Sequence, residues 1–132
     1  MSGGTVFPKR AGGWMGLVLG VLLMAGCKRD AERHAALMTG GDPALGKAAI
    51  PRYGCGSCHV IPGVPGATAT VGPSLQALGQ RTYLAGRLPN SPENLMKWVR
   101  HPQSVEPGNA MPNMEVTEED TRHIAAYLYT LR

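Results

Sequence analysis

The sequence lacks the features that would place it in several large functional classes. It has three cysteines and four histidines, and no second Cys-x-x-Cys pair that would complete a closed four-ligand zinc site. Beyond Cys27 it has 11 Lys and Arg against 9 Asp and Glu, a balance that does not suit a nucleic-acid-binding protein. It has no internal repeat and no low-complexity segment. Its function must therefore be sought in short motifs.

The run Cys55-Gly-Ser-Cys58-His59 is the most informative segment of the chain. Its two cysteines and its histidine stand at i, i+3 and i+4, so one turn of helix would present all three side chains on the same face. Two thiols can form thioether bonds to the vinyl groups of a haem while the imidazole binds the iron, and this spacing is the attachment signature of c-type haem. The run predicts one covalently attached haem c.

Two other interpretations of the cysteine pair stay open at this point. A thioredoxin-like redox pair usually follows a hydrophobic strand in a βαβ unit, and residues 48–53 do not resemble such a strand. Half of a zinc site would need further ligands, and His34, His101 and His123 are scattered along the chain. Haem attachment is favoured over both.

The N-terminal segment predicts export from the cytoplasm. Lys9 and Arg10 precede an apolar stretch that runs from about residue 12 to residue 25 and is short for a membrane span. The stretch ends in Met-Ala-Gly-Cys27, which resembles the lipobox of bacterial lipoproteins. We therefore expect residues 1–26 to be a signal peptide of lipoprotein type, and the alternative is an uncleaved N-terminal anchor.

This interpretation accounts for all three cysteines and divides the chain. Cys27 would carry lipid, while Cys55 and Cys58 would carry haem, so no disulfide is needed. Residues 27–41 would form the lipidated N-terminus and a tether, or a short frayed helix. Residues 42–132 would form the haem domain, on the periplasmic side of the cell envelope and lipid-anchored to a membrane.

The predicted domain is small and poor in aromatic residues. From Asp42 onward 91 residues remain, none of them Phe. A domain of this length buries a limited fraction of its surface. A large, flat, apolar cofactor would supply the missing core, so we expect the chain without haem to be poorly folded.

The pattern of caps, prolines and apolar spacing predicts an all-α domain. Pro51 is expected to kink the first helix, and the prolines and glycines of residues 60–73 predict a loop. Ile124, Leu128 and Leu131 stand at i, i+4 and i+7 and predict the buried stripe of the last helix. We expect about four short helices, near 43–53, 74–79, 92–101 and 118–131.

A haem held only by His59 would have one open axial position. Met111 is the preferred second ligand because it lies in a loop where Pro112 keeps residue 111 extended, so its thioether is not bound to a helix face. Met114, three residues later in the same loop, is the main rival. The remaining candidates are Met96, which is more typical of core filler in a helix, and His101 and His123.

Several segments together resemble those of a class I cytochrome c. The chain is most similar to the cytochrome c domain fused to subunit II of some bacterial haem–copper oxidases, and to the free-standing lipoprotein relatives of that domain. The resemblance covers most of residues 42–131. The matching segments are 55–59, 71–75, 85–90 with 93–95, 108–112 and 124–128.

The resemblance implies roles for individual residues. Met111 would be the iron ligand, whereas Met114 stands where the family commonly has Leu and is expected to pack. The Pro73 carbonyl would accept a hydrogen bond from the His59 ring, and Leu75 would lie against the haem edge or in the general core. Other implied roles are a close helix contact at Gly46 and propionate bonds from Tyr83, Arg87 or Trp98.

The leading functional hypothesis is a mono-haem electron carrier of a respiratory chain, not an enzyme. With both axial positions filled, substrate cannot reach the iron. The expected partners are a terminal oxidase and either a cytochrome bc-type complex or a periplasmic dehydrogenase, with no role for nucleic acid. The alternatives are a five-coordinate gas sensor or peroxidase, if Met111 does not bind iron, and a structural lipoprotein, if the cysteines carry no haem.

Overall fold

Short helices joined by irregular loops make up the part of the chain that the structure describes. The structure is a computed structural model, and it describes residues 28–132, of which 31–132 form one compact unit. The expected signal peptide and Cys27 lie outside the described residues. Among those residues, no helix is long and apolar enough to cross a bilayer. The elements are helix α1 at 28–39, α2 at Pro43–Ala49, α3 at Pro92–Arg100, α4 at Pro102–Val105 and α5 at Glu118–Tyr129, with strands β1 at Tyr83–Leu84 and β2 at Leu88–Pro89.

Helix α2 begins at a side-chain cap and gives way to a tighter turn at its proline. The Asp42 carboxylate accepts the backbone N–H of Ala44 at 2.7 Å, which satisfies one of the free donors at the helix start. The α-helical residues end at Ala49, and a 3₁₀ turn follows over Ile50–Tyr53. The predicted effect of Pro51 is confirmed, because a proline lacks the N–H that would continue the ladder.

Helices α2 and α5 cross at very short range. Gly46 is buried, and a Cβ added to it would overlap the backbone carbonyl of His123. The predicted close approach at Gly46 is therefore confirmed. The backbone N–H of Asp42 also donates to His123 Nδ1 at 2.8 Å, which fixes the start of α2 against α5.

Helices α3 and α5 follow their sequence signals closely. Helix α3 is capped by Ser91 and ends before Pro102, as predicted. The Thr117 hydroxyl caps α5 by accepting the backbone N–H of Asp120 at 3.1 Å. Ile124 and Leu128 are 2% and 4% exposed, so the predicted stripe is buried. Leu131 packs at the edge of the same core just beyond the helix end.

The segment after residue 73 differs from the prediction of a helix over 74–79. The structure has only a 3₁₀ turn at Leu78–Gln80. Ala77 adopts a φ of +54°, which an α-helix cannot contain. The Arg81 guanidinium also donates to the carbonyls of Ser74 and Gln76, so these acceptors are taken by a side chain instead of a helix ladder. The hairpin of β1 and β2 that follows was not predicted.

Candidate haem site

The Cys-x-x-Cys-His segment forms one helical turn, entered through a left-handed glycine. Gly54 has a φ of +66°, which a glycine adopts without the steric cost of a side chain. Residues Cys55–Ser57 form a 3₁₀ turn, and the backbone N–H of His59 donates to the Cys55 carbonyl at 3.0 Å. Cys55 and Cys58 are both free thiols and both half-buried. The structure thus brings the two thiols and the imidazole together on one turn.

The His59 ring is held by a hydrogen bond to the opposite loop. Its Nδ1 lies 2.7 Å from the Pro73 carbonyl oxygen, which is the contact that the resemblance implied. A carbonyl can only accept, so Nδ1 carries a proton, and the neutral ring then has its lone pair on Nε2. This is the tautomer that can bind a metal through Nε2, and the hydrogen bond fixes the orientation of the ring.

The Gly72 backbone lies against the face of the same imidazole. A Cβ on Gly72 would lie 2.5 Å from His59 Cε1, so no larger residue fits without moving the ring. The Gly72 N–H also donates to the Cys58 carbonyl at 2.7 Å. Residue 72 therefore acts with Pro73 to fix the orientation of His59.

The loop after the motif returns to it through a few backbone contacts. Val60 forms an isolated bridge with Thr68, and the Leu75 N–H donates to the Val60 carbonyl at 2.9 Å. The Leu75 side chain is half-buried against the hydrophobic core. Of the two expected positions, the haem edge and the general core, this contact is with the core. Its contact with a haem edge stays a prediction.

The two loop methionines occupy different environments. Met114 packs against the hydrophobic core, as does Met96. Met111 is half-buried, yet among the described side chains it is not part of the core or of the hydrophobic residues that pack against it. Its backbone N–H donates to Asn109 Oδ1 at 2.8 Å, and its carbonyl accepts from Gln103 Nε2 at 2.8 Å. Met111 is thus held by its backbone while its thioether has no place in the core.

The histidines that could compete as ligands are placed elsewhere. His123 uses Nδ1 to accept the Asp42 N–H, and its Nε2 lies 3.9 Å from a Glu119 carboxylate oxygen. His34 and His101 are exposed, and His101 lies between α3 and α4. His59 is therefore the histidine whose free ring nitrogen stands next to the cysteine pair.

One ion pair lies next to the motif, and another involves a candidate propionate partner. Asp120 accepts the Tyr53 hydroxyl at 2.6 Å and an Arg52 N–H at 2.9 Å. The hydrogen bond from Tyr53, together with the nearby Arg52 charge, lowers the pKa of the Asp120 carboxyl. Arg87, a candidate propionate partner, instead pairs with Glu106 at 2.6 Å. Burial raises the pKa of the Cys55 thiol, which favours its neutral form.

The donor set fits a covalently attached haem better than the alternatives. Two free thiols and an imidazole with an available Nε2 are the groups that such a haem needs. Within the described residues, no group of three or more His, Cys, Asp or Glu side chains could hold a metal ion, so a zinc site lacks its remaining ligands. The strands that the structure describes form an antiparallel hairpin, not the βαβ context of a thioredoxin-like pair.

Sequence reasoning missed several residues that organise the site. Gly72 and Asn109 lie within the segments 71–75 and 108–112 that match the family, but the sequence predicts no role for either residue. It also gives no reason to select Arg81 or Gln103. An Asn side chain in a loop commonly accepts a hydrogen bond from the backbone N–H two residues later, in an Asx turn. This pattern could have identified Asn109 as a partner of Met111. The positions of Gly72, Arg81 and Gln103 depend on contacts with distant backbone, which no local signal reports.

Comparisons with known proteins support the same assignment. The chain is 38% identical over 89 residues to cytochrome c oxidase subunit 2 of Alkalihalophilus pseudofirmus, covering 66% of this chain and 25% of the relative. It is 36% identical over 88 residues to the same subunit of Bacillus sp. PS3, covering 64% and 25%, and 33% identical over 82 residues to that of Bacillus subtilis, covering 59% and 23%. The chain thus spans about a quarter of the length of these relatives. No solved structure gives a significant match.

A family model described as cytochrome c matches residues 43–132, which include helices α2 to α5 and the Cys55–His59 motif. The expected fold class, a small all-α domain, is confirmed, and so is the resemblance to cytochrome c. The match covers more than half of the chain, so the protein belongs to the cytochrome c family and carries one covalently bound haem c.

Proposed function

We propose that the protein is a mono-haem electron carrier in which His59 and Met111 are the two axial ligands. The observation that carries the proposal is the contrast between the loop methionines. Met114 is packed against the core, whereas Met111 is half-buried outside it with its backbone hydrogen-bonded on both sides. A thioether that is not used for packing, in a loop whose backbone is held, is available as a ligand.

Each residue of the site would have a distinct role in binding the haem. Cys55 and Cys58 hold the haem by thioether bonds, and Leu75 lines its edge. His59 binds through Nε2, because Pro73 and Gly72 hold the ring in the required tautomer and orientation. The bound iron supplies a one-electron ferrous–ferric couple, and Met ligation raises its reduction potential. With both axial positions taken by protein, the chain transfers electrons and is not an enzyme.

The comparisons support a place for this carrier beside a terminal oxidase. The relatives are named as subunit 2 of a cytochrome c oxidase, and the chain is similar to a quarter of each. We propose that a terminal oxidase is the electron acceptor and that a cytochrome bc-type complex or a periplasmic dehydrogenase is the donor. Residues 1–26 would be the signal peptide that directs export of the carrier. The protein would then lie on the periplasmic side of the envelope, attached to a membrane through lipid on Cys27.

Replacement of the two methionines tests the ligand assignment. We expect Met111→Ala to keep the covalent haem, since Cys55, Cys58 and His59 are unchanged. It should lose the thioether-to-ferric-iron charge-transfer band, lower the reduction potential and let carbon monoxide bind the ferrous form. The matched control is Met114→Leu, a nearly volume-conserving change that should keep the spectrum and cost roughly less than 1.5 kcal/mol of stability.

The opposite outcomes are equally informative. If Met114→Leu loses the band and Met111→Ala keeps it, Met114 is the ligand. If the unmodified protein already binds carbon monoxide as fast as Met111→Ala, neither methionine holds the iron, and a five-coordinate sensor or peroxidase is the better function. A pyridine haemochrome spectrum without the haem c signature would instead favour a structural lipoprotein.

A further inference from the structure

The loop that carries Met111 is held by one side chain of helix α4. The Gln103 carboxamide donates from Nε2 to the carbonyls of Asn109 and Met111, both at 2.8 Å. Its Oε1 accepts the backbone N–H of Gly108 at 3.0 Å. A carboxamide offers two donor hydrogens, and here each has a carbonyl partner. One side chain thus engages three backbone groups of a single loop.

Asn109 completes the same network from within the loop. Its Oδ1 accepts the Met111 N–H, and its Nδ2 donates to the carbonyls of Pro102 and Glu106 at 3.0 and 2.7 Å. Both polar groups of the Met111 backbone are therefore bonded to side-chain amides. Backbone groups in a loop have no ladder to satisfy them, so these two carboxamides take the place of regular secondary structure.

Helix α4, which carries Gln103, is held in place at both ends. Pro102, at the first position of α4, is among the most deeply buried residues of the described chain. At the other end, Glu106 pairs with Arg87 at 2.6 Å and so connects α4 to the hairpin of β1 and β2. A side chain on an element secured at both ends can hold a loop in one position.

We propose that Gln103 is a positioning residue that keeps the Met111 thioether at the iron. The proposal rests on the proposed ligand role of Met111. A thioether is an uncharged ligand, so its bond to the metal gains no attraction between opposite charges and is stabilised when the loop holds its backbone in place. Without Gln103 the loop gains freedom and the sixth position opens part of the time.

The test compares holo-protein variants by their ligand-binding behaviour. Gln103→Glu keeps the shape but replaces the donor group by an oxygen that faces two carbonyls, and Gln103→Met keeps the length without hydrogen bonds. We expect both to retain covalent haem, to weaken the charge-transfer band, to lower the reduction potential and to bind carbon monoxide roughly tenfold faster, as the loss of such hydrogen bonds implies. The use of two variants covers the case in which one of them does not fold.

Two controls separate positioning from charge and from general stability. Gln80→Glu introduces the same charge at an exposed glutamine, and it should behave like the unmodified protein. Gly46→Ala disturbs the crossing of α2 and α5, where the added Cβ meets backbone of His123 and Ile124, and it should lower the melting temperature without changing carbon monoxide binding. If Gly46→Ala speeds carbon monoxide binding as much as the Gln103 variants do, the effect is one of stability and the proposal fails.

The failure of this inference differs from the failure of the proposed function. Gln103 variants with an unchanged band, potential and carbon monoxide rate would overturn the positioning role while leaving Met111 as ligand. Fast carbon monoxide binding by the unmodified protein would overturn the ligand role of Met111, and the inference with it.

Discussion

Gly46 shows how one missing side chain determines a helix contact. A Cβ at this position would overlap the backbone of His123 and Ile124, which cannot move aside as the tip of a flexible side chain could. The crossing of α2 and α5 brings the start of the domain onto its last helix, so the closure of the fold depends on this residue.

Gly46→Ala has two opposing effects whose sign can be predicted. Within an isolated helix the change is favourable by up to about 1 kcal/mol. In the folded protein the added methyl group has no room, and overpacking typically costs about 1–3 kcal/mol. We expect a net loss of stability, measured by denaturant unfolding of the holo-protein.

A control on the exposed face of α2 isolates the helix propensity. Ala48 is exposed, so Ala48→Gly should destabilise only through propensity, by about 1 kcal/mol. If Gly46→Ala instead stabilises the protein, the two helices are not in contact at this position.

At the scale of elements, the start of α5 is tied to the turn that precedes the haem motif. Asp120 lies in the first turn of α5, where a negative charge interacts favourably with the helix dipole. Its carboxylate binds Tyr53 and Arg52 of the 3₁₀ turn at Ile50–Tyr53. One carboxylate therefore stabilises a helix start and also fixes the segment that leads into Cys55.

This arrangement predicts a pH dependence of stability. The folded pKa of Asp120 is lowered, chiefly by the hydrogen bond from Tyr53, so its stabilising contribution is present above the unfolded pKa of about 3.9. It is lost as the pH falls through the folded pKa. We expect Asp120→Asn to lower the melting temperature at pH 7, with the difference from the unmodified protein shrinking in acid.

The matched control for this prediction is Glu119→Gln. The Glu119 side chain is 80% exposed, one residue earlier in the same helical turn, so its removal should change stability little. Equal effects of the two substitutions at pH 7 would mean that the Asp120 contacts add nothing beyond a charge at the helix start.

At the scale of the whole molecule, attachment to the membrane concerns residues outside the described part. We expect Cys27→Ser to move the haem-containing protein from the membrane to the soluble fraction, because lipid anchoring needs the thiol. Acyl chains bind a bilayer with about 0.8 kcal/mol per buried methylene, so two or more hold firmly. Fractionation with labelling by a radioactive fatty acid measures both effects.

Haem attachment provides the internal control of that experiment, because Cys55 and Cys58 are unchanged and the spectrum should stay the same. A Cys27→Ser protein that still incorporates fatty acid would show that the lipoprotein assignment is wrong. An unlabelled protein that stays with the membrane would identify an uncleaved anchor.

The sequence alone determined the features that depend on neighbouring residues. The spacing of Cys55, Cys58 and His59 predicted the haem attachment turn, since three positions within one turn need no information about distant parts of the chain. The kink at Pro51 and the end of α3 before Pro102 were predicted for the same reason, because the geometry of a proline acts over a few residues.

Only the tertiary structure decided which side chains meet across the chain. It packed Met114 against the core and left Met111 outside, paired Arg87 with Glu106, and brought Gln103 onto the Met111 loop. It also replaced the helix expected at 74–79, since Arg81 takes the carbonyls that such a helix would use. These contacts depend on how loops fold back on the helices. The local conformational preferences of a residue do not predict which distant residue it contacts.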